Sequence, residues 1–342
     1  MNSKGLFGKK YIDLSTETFK LEKPGFNDVI VKVKACGVCG TDINFLSQWT
    51  DKTMPLGHEI SGEVIEIGEG VKDLKPGDKV IVEDCSMCGS CDDCKNGRPD
   101  LCRNMFGLNG QPGMGQYLRV RYNNCVRFDG IDFIDACLTE PLAVSLNSVV
   151  NAGIPMNGSV VIIGGGPIGL MAARVAKLQG AGFVALTQTS SRRGRGKARV
   201  GLAAKLGTDL IIDPSEEDIG PAIKKSFPRG VDRVIVTAPP EAVHDAIRII
   251  KYGGTVTFLG LHFGGKNIVP LDINNLIFNK ITLQPSFAEP AINFNLSLDL
   301  LKKQLIPAKD IITHTFSFHD AKTIFSSILE GNEPVIKAVF IP

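Results

Sequence analysis

Four cysteines in one short stretch have the spacing in this chain that most directly predicts chemistry. The pattern C-x2-C-x2-C-x7-C is formed by Cys88, Cys91, Cys94 and Cys102. Two-residue gaps let successive sulfurs face one point, and the longer gap lets the chain turn and bring in a fourth sulfur. The spacing therefore predicts a closed zinc site, which stabilises a fold but leaves no position for a substrate. The alternative is a set of disulfides, which requires an oxidising compartment.

A glycine cluster predicts a second kind of site. The pattern G-x-G-x-x-G is formed by Gly164, Gly166 and Gly169, between the strand-like run SVVII and the helical run PIGLMAARVAKLQG. The first glycine permits a tight turn, the second lets the backbone approach a pyrophosphate, and the third lets the helix pack on the strand. Although such a pattern alone is often only a turn, its place between a strand and a helix predicts dinucleotide binding.

The residue after the next predicted strand indicates which dinucleotide is bound. NAD sites carry an acidic residue there, which accepts hydrogen bonds from the adenosine ribose, but this chain has Gln188. A polar and cationic run follows, including Ser190, Arg192 and Arg193. Because guanidinium groups bind phosphate and a carboxylate would repel it, the run favours NADP(H). The alternative is a solvated basic loop. The other candidate cofactor contacts are Pro167, Ile168, Leu259, Gly260 and Leu261.

Length and composition predict a soluble protein of two domains that acts on a small molecule. The chain has 342 residues, 43% hydrophobic and 22% charged, and no apolar run approaches the roughly 18–20 residues that a membrane span needs. A net charge of +2 argues against a nucleic-acid partner. The N-terminus shows no secretory signal, so the nine cysteines predict a reducing, cytoplasmic location in which thiolates bind metal.

The pattern of apolar runs changes near residue 151. Before it, short β-like runs such as VIVKVKA, GEVIEIG and DKVIV are separated by turn signals. From there to about residue 286, strand and helix signals alternate. This alternation predicts a doubly wound parallel sheet covered by helices, so the fold class is α/β. Two helices and a closing strand, VIKAVFIP, are predicted in the remainder.

Further motifs give the chain a family resemblance. CGVCGTDIN (Cys36 to Asn44), GHEISGEVIEIGEGV (Gly57 to Val71), the four-cysteine run, TEPLAV (Thr139 to Val144) and GGGPIG follow one another in order. In these motifs the chain resembles the zinc-dependent medium-chain alcohol dehydrogenase family, specifically its polyol and threonine dehydrogenase-like branch. The resemblance covers the chain almost from end to end.

The resemblance implies a GroES-like β-rich catalytic domain and a Rossmann domain. The catalytic domain is expected to comprise residues 1–150 and 287–342, with the structural zinc lobe at 85–102. The dinucleotide-binding domain is expected at 151–286, and the active site in the cleft between the two. Bacterial members of the branch are commonly tetramers, so a homotetramer or homodimer is expected.

The resemblance also implies a catalytic zinc, the second zinc of the chain. Its ligands fall on Cys39, His58, Glu59 and Glu140, and which glutamate ligates at rest stays open. One thiolate, one imidazole and one carboxylate leave a fourth position free, as a catalytic zinc requires. Thr41 matches the hydroxyl that carries the alcohol proton. The remaining cysteines match no ligand position: Cys36, Cys85, Cys125 and Cys137.

The implied reaction is hydride transfer between NADP(H) and a small polar secondary alcohol or its ketone, with zinc as the Lewis acid. The alternative is an NAD-dependent polyol or threonine dehydrogenase. Asn44 replaces a His that ends the proton relay in many relatives, so the proton must leave through water or another group. Phe45 replaces a Tyr that binds polyols, which argues against sorbitol-like substrates. Arg193 is shared with NAD-dependent relatives and does not discriminate between the cofactors.

Two other classes of function compete with this prediction. A zinc-ribbon nucleic-acid binder is disfavoured by the acidic residues around the lobe, Asp84, Asp92 and Asp93. A catalytically inactive NADPH-binding protein is disfavoured because every implied ligand of the catalytic zinc is present. A dehydrogenase is the prediction that uses all of the motifs.

Overall fold

The computed structural model describes residues 1–49, 51–190, 193–263, 265–287 and 292–342. Contacts within the chain divide it into two compact units. The first unit comprises Met1–Ala143, Ala288–Leu329 and Lys337–Pro342, and the second comprises Val144–Phe287 and Glu330–Ile336.

Eighteen strands lie within the described ranges, numbered here in chain order. They are β1 (Asn2–Lys9), β2 (Asp13–Lys20), β3 (Asp28–Gly37), β4 (Met54–Pro55), β5 (Glu59–Ile67), β6 (Lys79–Val82), β7 (Cys85–Ser86), β8 (Phe106–Gly107), β9 (Tyr117–Arg121), β10 (Cys125–Arg127), β11 (Ser159–Ile163), β12 (Phe183–Thr187), β13 (Leu210–Ile212), β14 (Val231–Val236), β15 (Ile250–Phe258), β16 (Thr282–Pro285), β17 (Ile312–Phe316) and β18 (Lys337–Phe340).

Twelve α-helices lie within the same ranges. They are α1 (Gly40–Asn44), α2 (Asp92–Lys95), α3 (Phe133–Ala136), α4 (Thr139–Ala152), α5 (Pro167–Leu178), α6 (Gly194–Lys205), α7 (Ile219–Lys224), α8 (Val243–Ile249), α9 (Ile273–Phe278), α10 (Phe294–Lys302), α11 (Ala308–Ile311) and α12 (Ala321–Glu330). A π-helical turn, Phe45–Trp49, follows α1, and short 3-10 turns occur at Pro99–Leu101, Tyr122–Asn124 and Pro240–Ala242.

The first unit is built from β-sheets. Its largest sheet has the order β10-β6-β5-β3-β18-β17, with β9 also paired to β3, and smaller sheets have the orders β2-β1-β4 and β7-β8. Within the largest sheet, β3 pairs antiparallel with both β5 and β18. That register sets Gly37 opposite Glu59 on one side and opposite Val339 on the other. Three segments distant in sequence therefore meet at the end of β3.

The second unit is built on one sheet of six parallel strands. Its order is β13-β12-β11-β14-β15-β16, and each adjacent pair is parallel. Every residue of β11 is buried, because helices such as α5 cover a parallel sheet and leave no solvent face. This order is that of a dinucleotide-binding fold and confirms the predicted Rossmann sheet.

The boundaries of the compact units differ from the predicted domains at three places. Residues 144–150, 287 and 330–336 belong to the second unit, although the sequence placed them with the catalytic domain. The first division falls inside α4. The functional roles of the two units stay a prediction at this point.

One stretch is long and apolar enough to cross a membrane by length and composition alone. It spans Phe133–Ala152, and 67% of its most apolar window is buried inside the fold. Burial of this kind is typical of a core helix.

Candidate metal centres and cofactor turn

The four cysteines of the predicted zinc lobe lie together. Their sulfurs, from Cys88, Cys91, Cys94 and Cys102, are all within 4.8 Å of one another, and none forms a disulfide. The Cys102 sulfur is 3.6 Å from that of Cys88 and 3.9 Å from that of Cys91. Sulfurs at the corners of a tetrahedron with zinc bonds of about 2.3 Å lie about 3.8 Å apart. The spacing of the sulfurs therefore fits a zinc ion.

Local backbone geometry prepares this lobe for a cation. The Cys88 sulfur accepts hydrogen bonds from the Ser90 and Cys91 backbone N–H groups at 3.5 and 3.4 Å, and bonds from Ser90 and Cys91 lower the pKa of the Cys88 thiol to about 6. Burial and the sulfur of Cys91 raise the pKa of the Cys94 thiol to about 12. A thiol whose pKa is raised in this way is held as a thiolate when a divalent cation binds it.

A second cluster joins Cys39, His58 and Glu59. One ligand atom of each lies within 4.8 Å of the others, although the residues come from different elements. Cys39 is the N-cap of α1, just after β3, and its sulfur accepts the Thr41 N–H at 3.5 Å. Glu59 is the first residue of β5, and His58 directly precedes it. The Thr41 hydroxyl oxygen is 3.5 Å from the Cys39 sulfur, so the predicted proton carrier lies beside the predicted ligand.

Asp42 joins the two loops that carry Cys39 and His58. Its side chain is 2% exposed. One carboxylate oxygen accepts the Cys39 N–H at 2.9 Å, and the other accepts the Gly57 N–H at 3.0 Å. Sequence reasoning missed this residue because nothing in the run GTDIN distinguishes a structural Asp from an ordinary helix N-terminal one.

The electrostatics of this cluster favour a cation. Burial lowers the pKa of His58, but the neighbouring Cys39, Asp42 and Glu140 outweigh it and raise that pKa well above its usual range. The donor atoms therefore attract positive charge strongly, and a bound metal ion would replace the proton. A thiol, an imidazole and a carboxylate are the donor set of an open zinc site, so these residues fit the metal that the sequence predicts.

Glu140 lies in the first turn of α4 and is not part of the three-residue cluster. It is close enough for charge interaction, however. Burial, and then the charge of Glu59, raise the pKa of Glu140 well above its usual range, whereas His58 lowers it. The structure therefore places this predicted ligand near the cluster but does not bring its oxygens within ligand distance of the others.

Lys337 is a second residue that sequence reasoning missed. Among the residues that the structure describes, it is the one buried Lys or Arg, at 3% exposure. Its ammonium nitrogen lies 2.5 Å from a carboxylate oxygen of Glu59. A signal existed, because a Lys in the middle of the apolar run VIKAVFIP conflicts with a buried strand unless it is paired.

The glycine turn has the geometry that a pyrophosphate site requires. Gly164 has φ of +115°, and a Cβ on Gly169 would lie 1.8 Å from the Gly164 carbonyl oxygen. A Cβ on Gly166, in contrast, would meet nothing within 4 Å, so space is free at the residue that must approach phosphate. Pro167 and Ile168 are the first two residues of the twelve-residue helix α5. Its N-cap residue, Gly166, makes no side-chain hydrogen bond to the first turn of the helix.

Two threonines hold this turn in place. The Thr187 hydroxyl accepts the Gly164 N–H at 3.0 Å, and the Thr237 hydroxyl donates to the Gly164 carbonyl at 2.9 Å. Thr187 ends β12, and Thr237 follows β14. Both are contributed by neighbouring parallel strands, which the sequence pattern of the turn alone does not reveal.

Gln188 lies directly against the turn. It is 6% exposed, its amide donates to the Thr189 carbonyl at 2.6 Å, and its carbonyl oxygen is buried with no hydrogen-bond partner. A Cβ on Gly165 would lie 2.4 Å from that oxygen. An unsatisfied buried acceptor beside the turn fits a ligand that donates a hydrogen bond there.

The remaining predicted cofactor contacts lie in three places. Ser190 and Arg193 are exposed, and Arg193 is the N-cap of α6, whereas Arg192 lies outside the described residues. Leu259, Gly260 and Leu261 follow β15, and a Cβ on Gly260 would lie 1.8 Å from the Ala238 carbonyl. Close backbone packing therefore requires glycine there.

Comparison with known proteins agrees with this geometry. Two family models match the chain: "Alcohol dehydrogenase GroES-like domain" over residues 25–130 and "Zinc-binding dehydrogenase" over residues 167–303. The chain is 31% identical over 325 residues to L-galactonate-5-dehydrogenase of Escherichia coli strain K12, covering 92% of each chain. It is 28% identical over 342 residues to sorbitol dehydrogenase of Bacillus subtilis strain 168, covering 96% of this chain and 94% of the relative.

A solved structure matches over the full length. A Sinorhizobium meliloti 1021 protein, described as a zinc-binding dehydrogenase and solved with bound NADP, superposes with a TM-score of 0.85 at 30% identity, covering 100% of both chains. Fold and site together thus define a zinc-binding dehydrogenase with a GroES-like and a Rossmann domain.

The chain belongs to the zinc-dependent medium-chain alcohol dehydrogenase family, in its polyol dehydrogenase branch. It is an oxidoreductase acting on CH–OH donors. The predicted family, fold class and enzyme class are confirmed.

Proposed function

We propose that this protein transfers a hydride between NADP(H) and a small polar secondary alcohol or its ketone, such as a sugar, a polyol or a related compound. The observation that carries the proposal is the convergence of Cys39, His58 and Glu59, whose ligand atoms lie within 4.8 Å of one another. The names of the relatives, an L-galactonate and a sorbitol dehydrogenase, support a substrate with several hydroxyl groups. Phe45 still argues against sorbitol itself.

The chain's own residues have separable tasks in this proposal. Cys39 and His58, with Glu59 or Glu140, would hold zinc, which supplies a Lewis acid that acidifies an alcohol hydroxyl or polarises a carbonyl. Thr41, 3.5 Å from the Cys39 sulfur, would take up the hydroxyl proton. Asp42 fixes the two loops so that the ligands keep their spacing. The four sulfurs of the lobe would hold a second, structural zinc.

Gln188 supports NADP(H) over NAD(H). A carboxylate at this position would repel a 2′-phosphate by roughly 1–4 kcal/mol at about 4 Å, depending on the local dielectric, whereas the neutral amide of Gln188 does not. The Sinorhizobium meliloti structure contains NADP, which is consistent with the same preference here. The alternative is an NAD-dependent polyol or threonine dehydrogenase, in which Gln188 contacts the ribose of NAD.

A fluorescence titration of the zinc-loaded protein with NADPH and NADH tests the cofactor. We expect clear preference for NADPH, which falls in Arg192→Ala and reverses in Gln188→Asp, because the new carboxylate repels the 2′-phosphate and accepts ribose hydroxyls. Arg193→Ala is the matched control, and it should weaken both cofactors alike. Equal binding of the two cofactors by the unmodified protein would instead favour the NAD-dependent alternative.

A homo-oligomeric state, dimer or tetramer, is also part of the proposal. Strand β16 ends the six-stranded sheet, and α9, just before it in sequence, exposes Ile273, Ile277 and Phe278 at 58%, 63% and 75%. Exposed apolar side chains grouped in this way favour self-association. Light scattering of the unmodified protein and of Phe278→Asp measures the oligomeric state. A monomeric unmodified protein would contradict the proposed self-association.

A cytoplasmic location is proposed as well, because all nine cysteines are free thiols in the structure. Fractionation of cells that produce the protein tests the location, and recovery outside the cytoplasm would contradict it.

A further inference from the structure

Asp84 is a carboxylate that the proposed function leaves without a task. Its side chain accepts the Cys85 N–H at 3.0 Å, and it forms no ion pair within the part of the chain that the structure describes. Asp84 is partly exposed, whereas the neighbouring Glu83 is buried. The charge of Asp84 is therefore available to a molecule that binds beside it.

The register of the largest sheet brings Asp84 to the edge that carries the second metal centre. Ile60 on β5 pairs with Val82 on β6, and the two strands are antiparallel. The start of β5 and the end of β6 therefore lie at the same edge of the sheet. His58 directly precedes β5, and Asp84 follows β6 by two residues. The sequence groups Asp84 with the four-cysteine lobe, but the sheet also places it at the edge that carries His58.

The charge of Asp84 reaches the candidate ligands. Burial and the charge of Glu59 raise the pKa of Glu140 most, and the charge of Asp84 raises it further. Charges interact in this way over distances of about 10 Å or less. Asp84 thus lies near the region in which an alcohol would bind the metal, although it is not part of the ligand cluster itself.

The balance of charge at this centre disfavours an anionic substrate. Among the described residues, the one buried Lys or Arg is Lys337, which already pairs with Glu59. A zinc dication and this lysine would not neutralise the four carboxylates and one thiolate of the region. A substrate carboxylate or phosphate would meet repulsion there, whereas a hydroxyl or an ammonium donates to a carboxylate. The negative groups are Cys39, Asp42, Glu59, Asp84 and Glu140.

We propose that Asp84 is a specificity-determining residue that selects neutral polyhydroxy alcohols and amino alcohols and discriminates against sugar acids and sugar phosphates. Its carboxylate would accept a hydrogen bond from a second hydroxyl or an ammonium of the substrate, while the reacting hydroxyl binds the metal. The inference rests on the proposed function, because it requires a metal ion at Cys39 and His58. It narrows the small polar alcohol of that proposal by its charge.

Three thiols that differ in one end group test this role, because a thiol binds the metal in the position of the substrate hydroxyl. They are mercaptoethanol, cysteamine and 3-mercaptopropionate, which share a sulfur and two carbons and then carry a hydroxyl, an ammonium and a carboxylate. Cobalt(II) in place of the catalytic zinc reports their binding through its visible absorption, without turnover. The affinity of each thiol for a variant is divided by its affinity for the unmodified protein, so differences in thiol acidity cancel.

Replacing the carboxylate by an amide should shift the charged thiols in opposite directions. We expect Asp84→Asn to bind 3-mercaptopropionate about 3-fold to 10-fold more tightly and cysteamine more weakly by a similar factor. Mercaptoethanol should change little, because the amide still accepts a hydrogen bond. Asp84→Glu keeps the charge and should keep the unmodified pattern. Asp73→Asn, which removes an exposed charge from a loop of the same unit, is the control and should alter none of the three affinities.

The outcomes separate this inference from the proposed function. Equal changes for the three thiols, or no change for any of them, would overturn the inference alone. The same opposite shifts in Asp73→Asn would also overturn it, because net charge rather than position would then explain them. Asp84→Ser repeats the comparison if Asp84→Asn does not fold. No response of the unmodified cobalt protein to any thiol would contradict the metal site, and with it the proposed function.

Discussion

The two candidate metal centres of the first unit gather their ligands in different ways. The four-cysteine lobe takes all its sulfurs from the short segment between Cys88 and Cys102, and its backbone N–H groups point at those same sulfurs. The second centre collects Cys39, His58 and Glu59 from the ends of two strands. One centre is thus specified by local chain geometry, and the other by the register of a sheet.

The balance of charge differs as well. In the lobe, the sulfurs have backbone N–H donors but no cationic side chain as a partner in the part of the chain that the structure describes. In the second centre, buried Lys337 forms an ion pair with Glu59, and buried Asp42 joins the loops that carry Cys39 and His58. A closed centre takes its geometry from four ligands, whereas an open one with fewer protein ligands depends more on neighbouring residues that orient them.

Removing one sulfur of the lobe should have the largest effect on stability. We expect Cys94→Ser to lose one zinc per chain and more than about 4 kcal/mol of the free energy of unfolding, because a structural zinc contributes folding energy directly. Zinc analysis and thermal unfolding measure the two effects. Cys125→Ser, outside both clusters, is the control and should keep the metal. Unchanged stability of Cys94→Ser would show that the lobe does not support the fold.

Glu83, which is 7% exposed, is a buried acid near the lobe. Replacing it tests whether this acid lacks a counter-charge. Burial raises its pKa from the usual 4.5 to about 8. The stability that this raised pKa contributes is fully present below pH 4.5 and is lost as the pH rises through about 8. We therefore expect Glu83→Gln to be more stable than the unmodified protein by up to about 5 kcal/mol at pH 9, with no gain below pH 4.5. Thermal unfolding at both pH values measures the difference, and an equal gain at both would contradict the account.

Replacing Asp42 tests the second centre, and we expect a smaller effect on stability than at the four-cysteine lobe. The amide of Asp42→Asn can accept only one of the two backbone N–H groups now bound, so one buried donor stays unsatisfied, which costs about 1–2 kcal/mol. The loops that carry Cys39 and His58 should then separate slightly, and the catalytic zinc should be lost to a chelator about 10-fold faster. The lobe zinc should be released at an unchanged rate. Faster release of both metals would mean that Asp42 supports the whole unit.

The sequence predicted the parts of the molecule that depend on local spacing. The sulfurs of the lobe and the glycine turn at Gly164 follow from motifs a few residues long, and the parallel sheet follows from alternating apolar runs. The candidate ligands Cys39, His58, Glu59 and Glu140 came from a family resemblance, since no short spacing connects the three segments that carry them.

Lys337 could not be predicted in the same way. It lies 278 positions from Glu59 in the sequence, and the two meet only because β3 pairs with both β5 and β18. Asp42 was missed because its partners are backbone N–H groups, whose positions depend on the folded loops. Side chains that tune a site through long-range pairing leave no periodic signal.

Cys39→Ser separates a catalytic zinc from the structural one when zinc content, turnover and NADPH binding are measured on the same preparation. We expect the variant to lose one of two zincs per chain and all detectable turnover while it binds NADPH as the unmodified protein does. Turnover that persists in Cys39→Ser, or a zinc content that does not fall, would contradict this expectation.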